Sequence, residues 1–171
     1  MSAPSSLAVQ LKQLMLRPPA LTLAVAESLT CGRVQARVGE VSGASDFFLG
    51  GITAYSLNQK VEHLRVARAS AQRVNSVSAK VAEQMARGVC ALFGSDLGVA
   101  TTGYAEPSTN WKVREPFAWW AVCHRAERNL VRVFSGRVEC PGASRIEVQV
   151  MIADAALGEL LEYLRALRAR K

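Results

Sequence analysis

Apolar positions along the chain repeat with two different periods, and their alternation sets out the elements in order. Leu7, Leu11 and Leu14 share one face of a helix over residues 5–16, which Ser5 or Ser6 can cap and Pro18-Pro19 ends. Residues 20–26 run on as a buried strand, and a short helix follows over 30–38. After the loop GEVSGAS, the stretch FFLGGITAY (47–55) reads as a second strand. Its double glycine marks the close approach of another backbone or of a ligand. Asn58 can cap a short helix through Leu64, and Ser76 or Ser78 a longer one over 79–93 that Gly94 stops. DLGVATTG (96–103) is a third buried strand that breaks into a polar loop. FAWWAVCH and NLVRVFSGRV then read as an antiparallel pair joined through RAER. PGAS introduces a last helix over 144–168, with Val148, Ile152, Ala155 and Leu160 among its apolar positions.

Three strands alternating with helices, followed by a hairpin and a helix, predict an α/β fold: a three-layer α/β/α sandwich with a mixed sheet. The 171 residues are expected to form one domain over 1–171, long enough to bury roughly 70% of the unfolded surface.

Composition narrows the class of protein. Half the residues are hydrophobic and 20% are charged, as in an ordinary globular chain. The N-terminal stretch has no basic start followed by an apolar core, and no apolar run approaches the roughly 20 residues that cross a bilayer. A cytoplasmic protein with no membrane partner is expected. Cys31, Cys90, Cys123 and Cys140 lie far apart, and His63 and His124 are not at zinc-ligand spacing from them. The expectation is free thiols and no metal. A net charge of +7 would suit an anionic substrate or nucleic acid. The charge is spread along the chain, however, and its densest cluster is the tail LRALRARK, which suits a helix C-terminus. Nucleic acid is therefore a disfavoured partner.

The chemistry gathers where strands end. Glu27-Ser28 follows strand one, Tyr55-Ser56 strand two, and Thr101-Thr102-Gly103 strand three. If these strands are parallel, their ends share one edge of the sheet, where α/β proteins place ligands. Ser28 is a candidate nucleophile, Lys60 a candidate base, and Tyr55 a hydroxyl that could shuttle protons or orient the other two. Each also has an ordinary reading. Ser28 or Thr30 could cap the following helix with Glu27 solvated, Lys60 could be a solvated lysine, and Tyr55 a strand aromatic.

The pieces AESLTCG, SGASDFFLGGITAYSLNQKVEHLRV, NSVSAKVAEQMARGV, LGVATTGYAEP and PGASRIEV follow one another over about residues 20–150. Their order and spacing resemble the CinA C-terminal family, which includes the PncC-type nicotinamide mononucleotide amidohydrolases. The resemblance implies deamidation of nicotinamide mononucleotide or a related pyridine nucleotide, with no metal or other cofactor. It makes Ser28 the nucleophile and Tyr55 and Lys60 the groups that activate it. It also places Arg145, at the start of the last helix, on a substrate phosphate. Glu27, Thr30, Thr102 and Gly103 are expected beside the substrate, and the protein is expected to form homo-oligomers.

Departures from the family pattern keep the nucleophile side of the site and change its ligand-cradling side. Leu29 and Cys31 replace a cysteine and a glycine of the first turn, and Leu57-Asn58 stands in place of an asparagine and a variable residue. A glycine-rich loop becomes Gly103-Tyr104-Ala105-Glu106-Pro107-Ser108-Thr109-Asn110, losing glycines and gaining a carboxylate. Trp119 and Trp120 crowd a strand start that is small in the family, the aspartate expected before Arg145 is missing, and Gln149 stands where an arginine is usual. Glu106 could face the ligand, face solvent, or turn toward Arg114 or Arg145. The alternative to an active amidohydrolase is a catalytically silent member kept for binding a nucleotide or a protein.

Overall fold

The computed structural model describes residues 6–127 and 130–169. Its helices are α1 (Ser6–Met15), α2 (Arg33–Gly39), α3 (Leu57–Leu64), α4 (Arg68–Arg73), α5 (Ala79–Phe93) and α6 (Arg145–Ala169). Its strands are β1 (Leu23–Glu27), β2 (Phe48–Thr53), β3 (Leu97–Tyr104), β4 (Phe117–Glu127) and β5 (Leu130–Glu139). The five strands form one mixed sheet in the order β2-β1-β3-β4-β5. Strand β1 runs parallel to both β2 and β3, while β3–β4 and β4–β5 are antiparallel.

Strand periodicity divides the core. Leu23 and Val25 of β1, Leu97 and Val99 of β3, and Trp120 and Val122 of β4 face one side, against α1, α2 and α6. Ala24, Ala26, Ala100, Ala121 and Cys123 face the other, against α3, α4 and α5. The result is the three-layer sandwich that the hydrophobic pattern predicts. At the opposite end from the site, Asp96 accepts from the Thr22 N–H at 2.8 Å and from its hydroxyl at 2.7 Å. That pins the starts of β1 and β3 in register, so their carboxyl ends finish side by side.

Helix boundaries differ from the sequence reading where a polar side chain could cap in more than one way. Ser56, not Asn58, caps α3, its hydroxyl accepting from the Gln59 N–H at 3.4 Å. The Asn58 side chain instead accepts from Arg68. Ser78 caps α5 and Gly94 closes it in the left-handed conformation. Helix α2 begins at Arg33 rather than Thr30, behind a turn over 28–32, and helix α4 was not anticipated. On α6 Val148, Ile152 and Leu160 are buried, and so is Ala156, while Ala155 is half-buried. Arg125, Ala126 and Glu127 of RAER continue β4, with a register shift between Arg125 and Glu127. Arg128 lies outside the described residues.

The double glycine of β2 answers to neighbours in the fold. A Cβ on Gly51 would sit 2.6 Å from the Val25 carbonyl oxygen, and one on Gly50 3.0 Å from the Phe93 ring. A tighter case is Gly88 on α5, where a Cβ would come within 2.2 Å of the Leu64 carbonyl oxygen at the end of α3. Gly88→Ala must push α3 outward and is expected to cost about 1–3 kcal/mol. A lowered midpoint in thermal unfolding checks this; an unchanged midpoint would mean the two helices separate freely.

Candidate active site

The parallel arrangement of β1, β2 and β3 brings all three polar strand ends to one edge of the sheet. There they open on a cleft of about 480 Å³, whose walls include Ser28, Tyr55, Lys60, Thr102, Gly103 and Arg145.

Ser28 sits at the carboxyl end of β1, 7% exposed. Lys60, on the inner face of α3, is only 2% exposed. Its ammonium donates to the Ser28 Oγ at 2.9 Å and to the Tyr55 carbonyl oxygen at 2.8 Å. Neither partner carries a charge, so no ion pair offsets the cost of burying the cation. Burial alone lowers the Lys60 pKa from 10.5 to about 8. About a tenth of the lysines are then neutral at pH 7, enough to act as a base. The solvated-lysine reading does not hold in this fold.

Tyr55 takes a different place from the one its sequence position suggests. Its backbone carbonyl holds Lys60, whereas its hydroxyl, on a half-exposed ring, accepts from Arg145 at 2.8 Å. Among the described residues the hydroxyl makes no hydrogen bond to Ser28 or Lys60.

Glu27 and Thr30 lie outside the cleft wall. Glu27 is wholly buried, and its carboxylate accepts from the N–H groups of Gly32 (2.9 Å), Val34 (3.1 Å) and Gln35 (2.9 Å), and from the Gln35 amide (3.1 Å). It therefore caps α2 from the end of the preceding strand, instead of Ser28 or Thr30, and it is not solvated. The Thr30 hydroxyl shares a 2.7 Å hydrogen bond with that of Thr101, tying the turn to β3. Both groups shape the turn that presents Ser28.

On the far wall, the Thr102 hydroxyl donates to the Ser76 carbonyl oxygen at 2.7 Å. Gly103 is required by its neighbour strand, since a Cβ there would meet Ala118 at 2.5 Å. Arg145, the first residue of α6, lies 3.3 Å from Glu106 as an ion pair. The tryptophans that seemed to crowd this region stay clear of it: Trp120 packs on Phe134 and over Gly136, and neither Trp119 nor Trp120 lines the cleft.

Sequence reasoning missed Asn75, Ser76, Tyr104 and Trp111 in the wall. Asn75 and Ser76 both adopt left-handed backbone, with φ of 49° and 61°. Asparagine tolerates that conformation, and strain of this kind collects at functional sites. No group of three His, Cys, Asp or Glu residues is arranged to hold a metal among the described residues. No helix among them is long and apolar enough to cross a membrane.

Comparison with known proteins agrees with this architecture. A curated CinA-like protein from a Picosynechococcus species is 47% identical over 96 residues, which are 56% of this chain and 23% of that protein. A CinA-like protein from Chlorobium limicola is 45% identical over 94 residues, 55% of this chain and 22% of the relative. The matched stretch thus spans under a quarter of these relatives' length. The solved structure of competence damage-inducible protein A from Klebsiella pneumoniae superposes with a TM-score of 0.83 at 24% identity, covering 93% of this chain and 95% of that one. A CinA superfamily protein from Enterobacter cloacae gives 0.84 at 21% identity, covering 96% and 94%. The family model of the CinA C-terminal domain matches residues 5–164. With nearly the whole described fold inside that match, the chain belongs to the CinA C-terminal domain family.

Proposed function

We propose that this chain is an amidohydrolase that removes ammonia from the carboxamide of nicotinamide mononucleotide or a related pyridine compound, with Ser28 as nucleophile and Lys60 as its base. The observation that carries the reading is the 2.9 Å contact between the Ser28 hydroxyl and a buried lysine with a lowered pKa. A serine hydroxyl reacts only when a neighbour takes its proton, and a neutral lysine amine at this distance can. In the acylation step Oγ attacks the amide carbon and its proton passes to Lys60 Nζ. Lys60 then returns that proton to the departing nitrogen, and ammonia leaves. Water attacks the acyl-serine with Lys60 again as base, releasing the acid. The N–H of Leu29, next after the nucleophile, hydrogen-bonds to nothing among the described residues and is available to the developing oxyanion. Tyr55 holds Lys60 through its carbonyl, and its hydroxyl steadies Arg145 at the cleft mouth.

The lysine sets the expected pH dependence. The rate of ammonia release from nicotinamide mononucleotide should fall about tenfold per pH unit below 8, as Lys60 becomes protonated. A rate independent of pH from 6 to 9 would contradict Lys60 as base. Stability moves in the same direction. The folded pKa of about 8 lies below the ordinary 10.5, so between these values the unfolded chain binds more protons. Stability therefore rises with pH through that window, by about 3 kcal/mol in all. Lys60→Met should abolish activity yet unfold no lower than wild type at pH 7, and it should flatten the pH dependence of the midpoint. A variant that is inactive and markedly less stable would mark Lys60 as a structural residue.

The ion pair of Glu106 with Arg145 favours the second reading, a silent binding member, because it closes part of the mouth. Ammonia release separates the two.

A further inference from the structure

Among the described residues of the cleft wall, three carry a full charge, and each is already engaged. Lys60 serves Ser28 and the Tyr55 carbonyl. Arg145 places one guanidinium nitrogen 3.3 Å from a Glu106 oxygen and another 2.8 Å from the Tyr55 hydroxyl. No uncommitted cation in the wall is left for a phosphate dianion. A phosphate seated against Arg145 would also meet the Glu106 carboxylate at close range.

The opposite wall offers neutral groups. Ser76 is 6% exposed, and its hydroxyl has no partner among the described residues while it borders the cleft. Its left-handed backbone is fixed from two sides. The Ser76 N–H donates to the Ala71 carbonyl oxygen at 2.7 Å, and the Ser76 carbonyl accepts from Thr102 at 2.7 Å. Beside it the Asn75 amide donates to the Tyr104 hydroxyl at 3.2 Å, which leaves the amide oxygen free to accept. An unpartnered hydroxyl that opens on the cleft from an otherwise buried residue, held in strained backbone next to a free amide oxygen, is suited to the hydroxyls of a sugar.

We propose that the cleft selects a phosphate-free N-glycosyl pyridine carboxamide, with Glu106 as the specificity-determining residue that rejects the phosphorylated form and Ser76 as a contact to the sugar hydroxyls. A ribosyl pyridinium carries one positive charge, which the Glu106 carboxylate attracts. Adding a phosphate brings two negative charges toward the same carboxylate. At about 5 Å and an effective dielectric near 20, each would lower affinity by about a hundredfold. Because Glu106 is well exposed, solvent screening leaves tenfold or more as the expected effect.

The inference rests on the amidohydrolase reading for the carboxamide, and binding and turnover are measured separately so that the two can fail separately. Nicotinamide riboside and nicotinamide mononucleotide are titrated by calorimetry, at fixed salt, into wild type, Glu106→Gln and Ser76→Ala, with ammonia release followed in parallel. Wild type should bind the riboside at least tenfold tighter than the mononucleotide. Glu106→Gln should tighten the mononucleotide at least tenfold and remove the preference. Ser76→Ala should weaken the riboside several-fold and leave the Glu106 effect in place. Wild type that prefers the mononucleotide, or a preference untouched by Glu106→Gln, overturns the proposal while leaving the amidohydrolase reading intact. The predicted preference without ammonia from either compound sustains the proposal and defeats that reading. Binding of neither compound overturns both.

Discussion

Ser28→Ala is expected to reduce ammonia release by at least about a thousandfold, because among the described residues no other hydroxyl hydrogen-bonds to Lys60, the base that the attack on the amide carbon needs. The neighbouring hydroxyls are committed elsewhere: Thr30 to Thr101, Thr102 to the Ser76 carbonyl, and Tyr55 to Arg145. Stability should barely move. Ser28 caps no helix, and its side chain makes one hydrogen bond, with Lys60, which keeps the Tyr55 carbonyl as an acceptor. A loss of about 1 kcal/mol, or 2–4 °C in midpoint, is the expected cost. Calorimetric unfolding run beside the activity assay checks both halves. An active variant would remove Ser28 from the chemistry. A variant that unfolds far earlier would make the turn, rather than the reaction, the reason for a serine here.

Glu27→Ala is expected to be the opposite kind of variant. Its carboxylate satisfies three backbone N–H groups at the start of α2 and the Gln35 side chain, all from a fully buried position. Removing it leaves those donors without an acceptor. At about 1–3 kcal/mol for each orphaned group, partly relieved as the turn relaxes, the loss should reach about 3–5 kcal/mol. The thermal midpoint should then drop by roughly 10 °C. Glu27→Gln should fall in between, since it keeps one oxygen but turns an NH₂ toward the other donors. If Glu27 instead contacts substrate, Glu27→Ala will raise KM and leave the midpoint in place.

These two variants mark what was legible in the sequence and what was not. Strand ends are visible as apolar runs stopping at polar residues, so the gathering of Ser28, Tyr55 and Thr102 at one edge followed from parallel pairing alone. The layer structure was legible for the same reason: small residues alternate with Leu and Val along β1 and β3, and each set meets its own helices. The role of Glu27 was not legible. A carboxylate at the end of a strand looks the same whether it bonds a ligand, water or the amides five to eight residues ahead. The Tyr55 hydroxyl was misplaced because the spacing from Tyr55 to Lys60 fixes the backbone contact and says nothing of the ring, which Arg145 captures from 90 residues away. Asn75 and Ser76 were passed over because the stretch reads as an ordinary helix lead-in, whereas both adopt left-handed backbone, and at Ser76 hydrogen bonds to Ala71 and from Thr102 hold it there. The Glu106–Arg145 pair was one of several outcomes that the loop sequence allowed, and the position of the α6 N-terminus decided it.

Ser28 is expected to form a covalent acyl intermediate on the way to releasing ammonia. Trapping with hydroxylamine tests it most directly, with wild-type protein turning over nicotinamide mononucleotide or nicotinamide riboside at pH 8. An acyl-serine partitions between water and the added nucleophile, so the predicted result is a pyridine hydroxamate formed alongside the acid, in a ratio that rises with hydroxylamine, and absent with Ser28→Ala. Ammonia and acid formed with no hydroxamate at any hydroxylamine concentration, or no ammonia from either compound, would contradict it.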